Sequence, residues 1–220
     1  MARTKTSKAW MHEHVTDPFV RKAQKEGYRS RSAYKLDEIV DKDKLLRPGM
    51  TVVDLGAAPG GWSQIMAPRV GPSGAVIAVD VLDISPIPGV KILKGDFGQD
   101  DTLRRLEYEL AGRQADLVVS DLSPNISGIA MVDQARSVHL AELALEFCQR
   151  WLKPGGNLLV KVFQGAGLDE FRAQLAAHFM SVAVRKPKAS RDRSNELYLL
   201  AKARNPEKPA SLRQAADAAD

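Results

Sequence analysis

The sequence has few of the features that mark secreted or membrane proteins. Cys148 is its single cysteine, so no disulfide can form within the chain. No run of about 18 apolar residues occurs, which excludes a membrane-spanning helix. The basic first ten residues are not followed by the apolar block of a secretory signal. We therefore expect a cytoplasmic protein that does not enter a membrane.

The sequence also lacks the residue clusters that hold metal ions. His12 and His14 flank Glu13, but no further histidine or cysteine stands near them. The ligand set of a zinc site is thus incomplete, and we expect no metal.

Positive charge is unevenly distributed along the chain. Residues 1–35 hold nine Lys and Arg against three acidic residues, and residues 185–193 hold five against one. Two basic segments far apart in sequence favour a shared face that binds nucleic acid, although a merely solvated surface would show the same counts. Three aromatic residues stand among the Lys and Arg residues of the first segment: Trp10, Phe19 and Tyr28. They could stack on unpaired nucleobases, or they could be core residues.

Apolar runs and helical patterns alternate along most of the sequence. Five apolar runs without polar alternation are typical of strands covered on both faces, and they lie at 51–55, 75–80, 90–94, 115–121 and 157–163. Helices are predicted at 30–41, 61–70, 100–111, 133–152 and 168–178, and two further strands at 181–186 and 196–202. This repetition predicts an α/β fold, a doubly wound Rossmann-like sheet of seven mostly parallel strands with the last strand antiparallel.

One folded domain, over residues 30–203, is expected to carry the function. Residues 1–29 are interpreted as a basic arm with a short helix, and residues 204–220 as a mobile tail rich in Ala and Asp. The length of 220 residues suits one α/β domain with short extensions, and we expect a monomer.

A glycine-rich turn follows the first predicted strand. It runs from Asp54 through Gly56 and Gly60 to Trp62, where the next helix is predicted to begin. Glycine permits positive φ and close approach of a ligand, and doubly wound sheets bind ligands at such turns. Because the spacing is not the G-x-G-x-x-G that cradles a pyrophosphate, a cationic ligand without phosphate, such as S-adenosylmethionine, fits better.

Acidic residues end the neighbouring predicted strands. Asp80 could accept hydrogen bonds from both ribose hydroxyls of an adenosine. Asp96 could accept one from the adenine amino group, with Phe97 nearby for stacking, and Asp121 ends the fourth strand. Any one of these acids could simply cap a loop, but together they indicate a cofactor that contains adenosine.

Lys161 stands in an otherwise apolar predicted strand, where an unpaired ammonium group would cost free energy. Asp121 should lie beside it if the fourth and fifth strands are neighbours. Glu196 should join them if the last strand is antiparallel, and Lys35 could overlook the same place. We predict that these four residues remove the proton of a hydroxyl group. The two lysines should lower each other's proton affinity, which favours a neutral amine that can accept this proton. The alternative is a lysine that reaches solvent from a strand end.

Other methyl acceptors fit the sequence less well. Carbon methylation of pyrimidines usually needs a cysteine nucleophile, and Cys148 is expected to fill the core from inside a helix. Methylation of an exocyclic amine often uses Asp/Asn-Pro-Pro-aromatic, whereas residues 121–125 read Asp-Leu-Ser-Pro-Asn. A ribose hydroxyl, which needs a proton acceptor, is the expected target.

The order of Lys35, Asp121, Lys161 and Glu196 resembles the catalytic set of the FtsJ/RrmJ-type ribose 2′-O-methyltransferases. The likeness covers roughly residues 10–202 and is strongest at 29–39, 54–64, 121–128, 160–165, 185–187 and 190–191.

The resemblance implies an enzyme that uses S-adenosyl-L-methionine to methylate the 2′-hydroxyl of a uridine in the A-loop of 23S rRNA, within the large ribosomal subunit or its late precursor. It makes Lys161 the proton acceptor, with Lys35 and Glu196 in support. The cofactor contacts that it implies are those of Gly60, Trp62, Asp80, Asp96 and Asp121. Relatives that methylate tRNA or mRNA caps share the fold and the four residues, so the RNA substrate stays open at this point.

Two other classes of protein compete with this interpretation. A nicotinamide-dependent oxidoreductase would need the phosphate-cradling glycine pattern that is missing here, and calorimetry with candidate cofactors would distinguish it. A non-catalytic RNA-binding or ribosome-assembly factor would be expected to lack the four clustered residues, all of which are present.

Overall fold

A seven-stranded sheet forms the centre of the computed structural model, which describes residues 17–191 and 194–207. The strands in chain order are β1 (Thr51–Leu55), β2 (Ala75–Asp80), β3 (Val90–Lys94), β4 (Ala115–Ser120), β5 (Leu152–Phe163), β6 (Phe179–Arg185) and β7 (Glu196–Arg204). The helices within the described residues are α1 (Pro18–Glu26), α2 (Ala33–Asp43), α3 (Gly61–Val70), α4 (Asp100–Leu110), α5 (Ala130–Trp151) and α6 (Leu168–His178).

The strand order across the sheet is β3-β2-β1-β4-β5-β7-β6. Neighbours from β3 to β5 pair in parallel, whereas β7 is antiparallel to both β5 and β6. The predicted doubly wound fold with an antiparallel last strand is therefore confirmed. The chain order reverses between β1 and β4, and in such sheets the carboxyl ends of these two strands border the ligand crevice.

Helices cover both faces of the sheet. One apolar cluster joins α2 and α3 to one face, and a second joins α4, α5 and α6 to the other. Every residue of β1 is buried, which is why the strands at the centre read as continuous apolar runs rather than alternating ones. Cys148 lies fully buried in the second cluster, as expected of a core residue.

Several element boundaries differ from the sequence-based expectations. Helix α2 begins at Ala33 rather than residue 30, because the carbonyls of residues 30–32 accept hydrogen bonds in tight turns before the helix. Helix α5 begins three residues earlier than predicted, at Ala130. Strand β5 begins at Leu152 rather than residue 157, since Leu152 pairs with Ala115 before the register shifts. Such ends depend on local capping and pairing, which the apolar pattern does not encode.

Helix α1 lies in the segment predicted as a basic arm with a short helix. Asp17 caps it by accepting hydrogen bonds from the amides of Phe19 at 2.9 Å and Val20 at 3.4 Å. The rings of Phe19 and Tyr28 pack against Tyr34, with centroids 5.7 and 5.6 Å away. These two aromatic residues therefore pack within the fold.

The predicted basic arm and C-terminal tail lie largely outside the residues that the structure describes. Trp10, His12 and His14 belong to residues 1–16, and most of the predicted tail belongs to residues 208–220, none of which the structure describes. The division into arm, domain and tail stays a prediction. Among residues 17–191 and 194–207, no helix is long and apolar enough to span a membrane, and no cluster of His, Cys, Asp and Glu is arranged to bind a metal ion.

Candidate active site

Lys161 lies at the centre of the candidate site. It is 8% exposed, and its Nζ lies 2.8 Å from the backbone oxygen of Asp121 and 3.2 Å from Oδ1 of the same residue. The parallel pairing of Ser120 in β4 with Val160 in β5 produces this contact. It brings the residues that follow them, Asp121 and Lys161, to the same edge of the sheet. The expected meeting of Lys161 and Asp121 is therefore observed.

Glu196 and Lys35 complete the group from two other elements. The antiparallel register sets Glu196 opposite Phe163, next to the end of β5, and Lys35 reaches it from α2 to form an ion pair. Burial acts to raise the pKa of Glu196, but the charge and hydrogen bond of Lys35 and the charge of Lys161 outweigh it, so that this pKa is lowered. Each lysine contacts its own carboxylate, and their predicted effect on one another stays a prediction.

Tyr198 is a member of the site that the sequence-based interpretation missed. It lies opposite Lys161 on β7, is fully buried and donates a hydrogen bond from its hydroxyl to Oδ1 of Asp121 over 3.1 Å. Burial, followed by the charges of Asp121 and Glu196, raises its pKa well above the ordinary value, so the phenol stays a donor. The antiparallel register expected for Glu196 already implied this position, since residues directly opposite share one face of a sheet.

The glycine-rich turn packs tightly against the chain that follows Asp121. A Cβ added to Gly56 would lie 2.8 Å from the amide nitrogen of Leu122, and the residue has φ of +76°. The amide of Asp121 in turn donates to the carbonyl of Leu55 over 2.9 Å. Only glycine fits at position 56, and it lets the turn border the same space as Asp121.

Arg29, which precedes α2, stabilises the glycine-rich turn through hydrogen bonds. Its guanidinium donates hydrogen bonds to the carbonyl of Pro59 at 3.1 Å, Ser85 at 2.7 Å and Pro86 at 2.8 Å. These bonds tie the turn after β1 to the loop after β2, so Arg29 holds the two segments together. Its role was not apparent from sequence, because an arginine in a basic segment reads as a nucleic-acid contact.

Asp80 lies at the end of β2 and also holds the turn in place. Its Oδ2 accepts from the amide of Ala58 and its Oδ1 from the amide of Leu82, both at 2.8 Å. Each carboxylate oxygen has a second lone pair, so Asp80 can still accept from ligand hydroxyls. Next to it, Val81 and Leu82 are 56% and 64% exposed. These two residues, which the sequence-based interpretation missed, offer an apolar surface of the kind on which a purine could lie.

Asp54 is a fully buried carboxyl group at the end of β1. Its Oδ2 accepts a hydrogen bond from the hydroxyl of Ser63 at 2.7 Å, while its Oδ1 has no hydrogen-bond partner among the described residues. Burial raises its pKa to about 7, the Ser63 bond opposes this rise, and the charges of Asp121 and Asp80 add to it. The charges of Asp121 and Asp80 that act on Asp54 also concentrate negative potential around the turn, which favours a cationic ligand.

Two side chains predicted to contact the cofactor are placed elsewhere. Phe97 is 5% exposed and packs edge-on against Phe147 in the core, with centroids 5.7 Å apart, so its ring does not offer a stacking surface. The indole of Trp62 is buried and donates to the carbonyl of Ser32 at 2.8 Å. Trp62 can therefore contact a ligand only through its backbone, in the first turn of α3, where amides lack partners within the helix. Asp96 is exposed, as its predicted contact requires.

The two basic segments meet beside the site, as their shared charge predicted. Asp17 contacts Arg31 from one segment and lies 3.7 Å from Arg191 of the other, and Arg31 also donates to the carbonyl of Ala189. Arg185 is different, because its guanidinium is held by both carboxylate oxygens of Asp43 at 2.6 and 2.7 Å. The prediction that the basic arm and residues 186–193 contact RNA phosphates does not involve Arg185 and stays a prediction.

The arrangement brings a buried amine next to the glycine-rich turn. Lys161 contacts Asp121, the chain after Asp121 packs against Gly56, and Asp80 holds the turn through the amide of Ala58. In doubly wound sheets this is the edge at which ligands bind. A lone pair on the amine, if present, would be a proton acceptor beside such a ligand.

Comparison with known proteins gives three consistent similarities. A family model described as FtsJ-like methyltransferase matches residues 28–204, which include all four clustered residues. Relatives named ribosomal RNA large subunit methyltransferase E, from Azoarcus sp. (strain BH72) and Methylobacillus flagellatus, are 61% and 58% identical over 200 residues, or 91% of this chain and 98% and 97% of theirs. A solved structure described as a ribosomal RNA methyltransferase from Plasmodium falciparum has a TM-score of 0.73 at 28% identity, over 80% of this chain and 98% of that one.

Proposed function

The chain belongs to the FtsJ-like methyltransferase family, and we propose that it methylates the 2′-hydroxyl of a uridine ribose in the A-loop of 23S rRNA. The proposed donor is S-adenosyl-L-methionine, and the proposed substrate is the large ribosomal subunit or its late precursor. The observation that carries this proposal is the placement of Lys161 Nζ against Asp121, at the sheet edge that the glycine-rich turn also borders.

The residues around the turn fit a cationic methyl donor that contains adenosine. Asp54 has a buried carboxylate oxygen without a partner, and Asp80, Asp96 and Asp121 are accessible acceptors. Gly56 and Gly60 let the turn pack closely against its neighbours, since an added Cβ would lie 2.8 Å from the nitrogen of Leu122 and 2.6 Å from Cδ1 of Ile87. When bound, the donor supplies a methyl group on a positively charged sulfur, which is electrophilic and needs no metal to be transferred.

Lys161 is proposed to accept the proton of the ribose hydroxyl. Asp121 uses both N–H groups of a neutral amine, through its backbone oxygen at 2.8 Å and its Oδ1 at 3.2 Å. The remaining lone pair of Nζ is then directed away from Asp121, toward an incoming hydroxyl group. Once protonated, Nζ is stabilised by the carboxylate at its side, and such positioned proton transfer typically contributes about 10²–10⁴-fold in rate.

The other members of the cluster are proposed to hold this pair in place. Tyr198 donates to Oδ1 of Asp121 and so fixes the carboxylate that faces Lys161. Glu196 adds negative charge near Lys161 and is itself held by Lys35 and by the hydroxyl of Ser190, 3.3 Å away. The side chain of Ser190 is buried, and its bond to Glu196 makes it a proposed positioning residue.

The proposed substrate rests on the relatives and on the basic face. Both relatives carry large-subunit ribosomal RNA in their names and span nearly all of this chain. The basic segments around Arg31 and Arg191 lie beside the cluster, where an RNA strand would run. An enzyme with this substrate is expected to work in the cytoplasm, where ribosomes are assembled.

The test is methyl transfer from labelled S-adenosylmethionine to large subunits, small subunits and tRNA that lack the modification. Label is expected in the large subunit alone. The modified linkage should resist alkaline cleavage, because that cleavage needs a free 2′-hydroxyl, and sequencing of the resistant fragment should place it at a uridine of the A-loop. Label confined to tRNA, or label at a linkage that alkali cleaves, would contradict the proposal.

A further inference from the structure

We infer that a cavity beside the Lys35–Glu196 pair binds the backbone phosphate next to the target ribose, an inference that rests on the proposed function. The cavity has a volume of about 290 Å³, several times the share of one water molecule in the liquid. Its described lining consists of charged and hydroxyl side chains from three parts of the chain: Ser30, Arg31, Ser32, Lys35, Arg191, Ser194 and Glu196.

Cationic side chains from both basic segments border the cavity. Arg31 and Arg191 both contact Asp17, and Lys35 contacts Glu196. The Nε of Arg31 is a buried donor without a hydrogen-bond partner among the described residues. A buried donor of this kind beside further cations favours an anion, such as the phosphodiester of an RNA strand.

Two serine hydroxyls are oriented to donate to an anion. Ser30 Oγ accepts a hydrogen bond from the amide of Ser32 at 3.1 Å, and Ser194 Oγ accepts one from the amide of Glu196 at 3.2 Å. A hydroxyl oxygen that accepts from a backbone amide directs its own proton to another acceptor. The cavity thus offers neutral donors as well as cations, which distinguishes a phosphate site from a merely basic surface.

The position of the cavity identifies which phosphate it would hold. Glu196 lies opposite Phe163, two residues beyond Lys161 along β5, a separation of about 7 Å at the usual rise of a strand. In RNA, four covalent bonds separate the 2′-oxygen from the 3′-phosphorus, a span of at most about 5 Å with bonds near 1.5 Å. A phosphate oxygen about 1.5 Å further out, with a hydrogen bond of about 2.8 Å, extends this reach beyond about 7 Å. When the 2′-oxygen is at Lys161, the phosphate of the same nucleotide can therefore contact groups of this cavity.

Binding of a fluorescent twelve-residue oligouridylate over a range of salt concentrations tests the site without relying on methylation. In Arg191→Gln, the slope of log affinity against log salt should fall in magnitude by about 0.7, the value for one phosphate contact on a single strand. Arg172→Gln makes the same change on exposed helix α6 and should leave the slope as it is. An unchanged slope in Arg191→Gln would overturn the inference.

The serine variants separate a built site from general attraction. Ser194→Ala should weaken oligouridylate binding roughly tenfold, the usual effect of losing a hydrogen bond to a charged group. Its salt slope should stay the same because no charge is removed, and Ser194→Thr, which keeps the hydroxyl, should restore affinity. If both Ser194 variants bind like the wild type, the cavity is not a phosphate site.

Kinetics with large subunits locate the phosphate relative to the target ribose. Arg191→Gln should lower kcat as well as raise KM, because a phosphate held beside the cluster aligns the reacting oxygen. A rise in KM alone would show that the phosphate lies elsewhere and would overturn the inference. If the wild type itself transfers no methyl group to large subunits, the proposed function fails, whereas the oligouridylate result still stands.

Discussion

The amine of Lys161 contacts Asp121 twice, at 2.8 Å from its backbone oxygen and 3.2 Å from its Oδ1. This double contact explains how a lysine can lie 8% exposed in an apolar strand. An amine without partners would be costly in that place, whereas this one is held in a fixed orientation by its two contacts. The proposed catalytic role and the structural stability of β5 therefore depend on the same interaction.

Substitution of Lys161 is expected to remove catalysis without removing donor binding. Lys161→Ala should reduce methyl transfer by at least about 10²-fold, because the hydroxyl loses its proton acceptor. The affinity for S-adenosylmethionine, measured by calorimetry, should change little. Lys153→Ala, which removes the lysine paired with Asp116 at the other end of β4 and β5, is the matched control and should keep activity. Near-normal transfer by Lys161→Ala would remove this residue from the chemistry.

Gly56 is expected to be essential for donor binding because of what its missing side chain would touch. Gly56→Ala places a Cβ 2.8 Å from the Leu122 nitrogen, at φ of +76°. Gly112 has the same φ of +76° but no heavy atom within 4 Å of an added Cβ. Gly112→Ala should therefore share only the backbone strain, typically about 1–2 kcal/mol. Calorimetric titration with the donor and thermal unfolding check this; equal donor affinity in both variants would contradict it.

Asp54 should make stability fall as pH rises toward neutrality. Its pKa is about 7 in the folded chain against an ordinary 3.8, so the folded state binds the proton more tightly than the unfolded state between these values. The contribution of Asp54 to the free energy of unfolding is then largest below about pH 4 and smallest above about pH 7. Asp54→Asn should therefore match the wild type near pH 4 and exceed it near pH 8, by an amount on the order of a few kcal/mol.

Urea unfolding of the wild type and of Asp54→Asn at several pH values measures the difference in their free energies of unfolding. The contributions of other titrating groups largely cancel in this difference. Ser63→Ala removes the bond that opposes the rise in the pKa of Asp54, so it should extend the fall in stability to higher pH. An advantage of Asp54→Asn that does not change with pH would argue against a protonated Asp54.

Asp43 should show the opposite pH dependence at a site remote from catalysis. The hydrogen bond from Arg185 holds its pKa at about 2, below the ordinary 3.8, and Lys202 contributes. Its contribution is thus full above about pH 4 and is lost as pH falls through about 2. Asp43→Asn should lower the free energy of unfolding at pH 7 by roughly 2 kcal/mol, with donor affinity unchanged. A variant as stable as the wild type at neutral pH would contradict this role.

Local patterns in the sequence were sufficient for the fold and for most of the chemical groups. Apolar runs without alternation identified the strands, since a strand covered on both faces needs apolar residues throughout. Lys161 stood out because a lysine conflicts with such a run, and Gly56 because a tight turn at a strand end needs positive φ. The pairing of Lys161 with Asp121 followed from the strand order that this class of fold imposes.

Only the tertiary structure decided which side chains are used in packing and which face the site. Phe97 and Trp62 follow the strands at which the cofactor contacts were predicted. The ring of Phe97 nevertheless packs in the core, and the indole of Trp62 donates a hydrogen bond to the carbonyl of Ser32. Conversely, Tyr198 was hidden within an apolar strand and proved to hold Asp121. Side-chain direction and hydrogen-bond partners depend on residues far apart in the chain, and a sequence records neighbours along the chain but not contacts between distant segments.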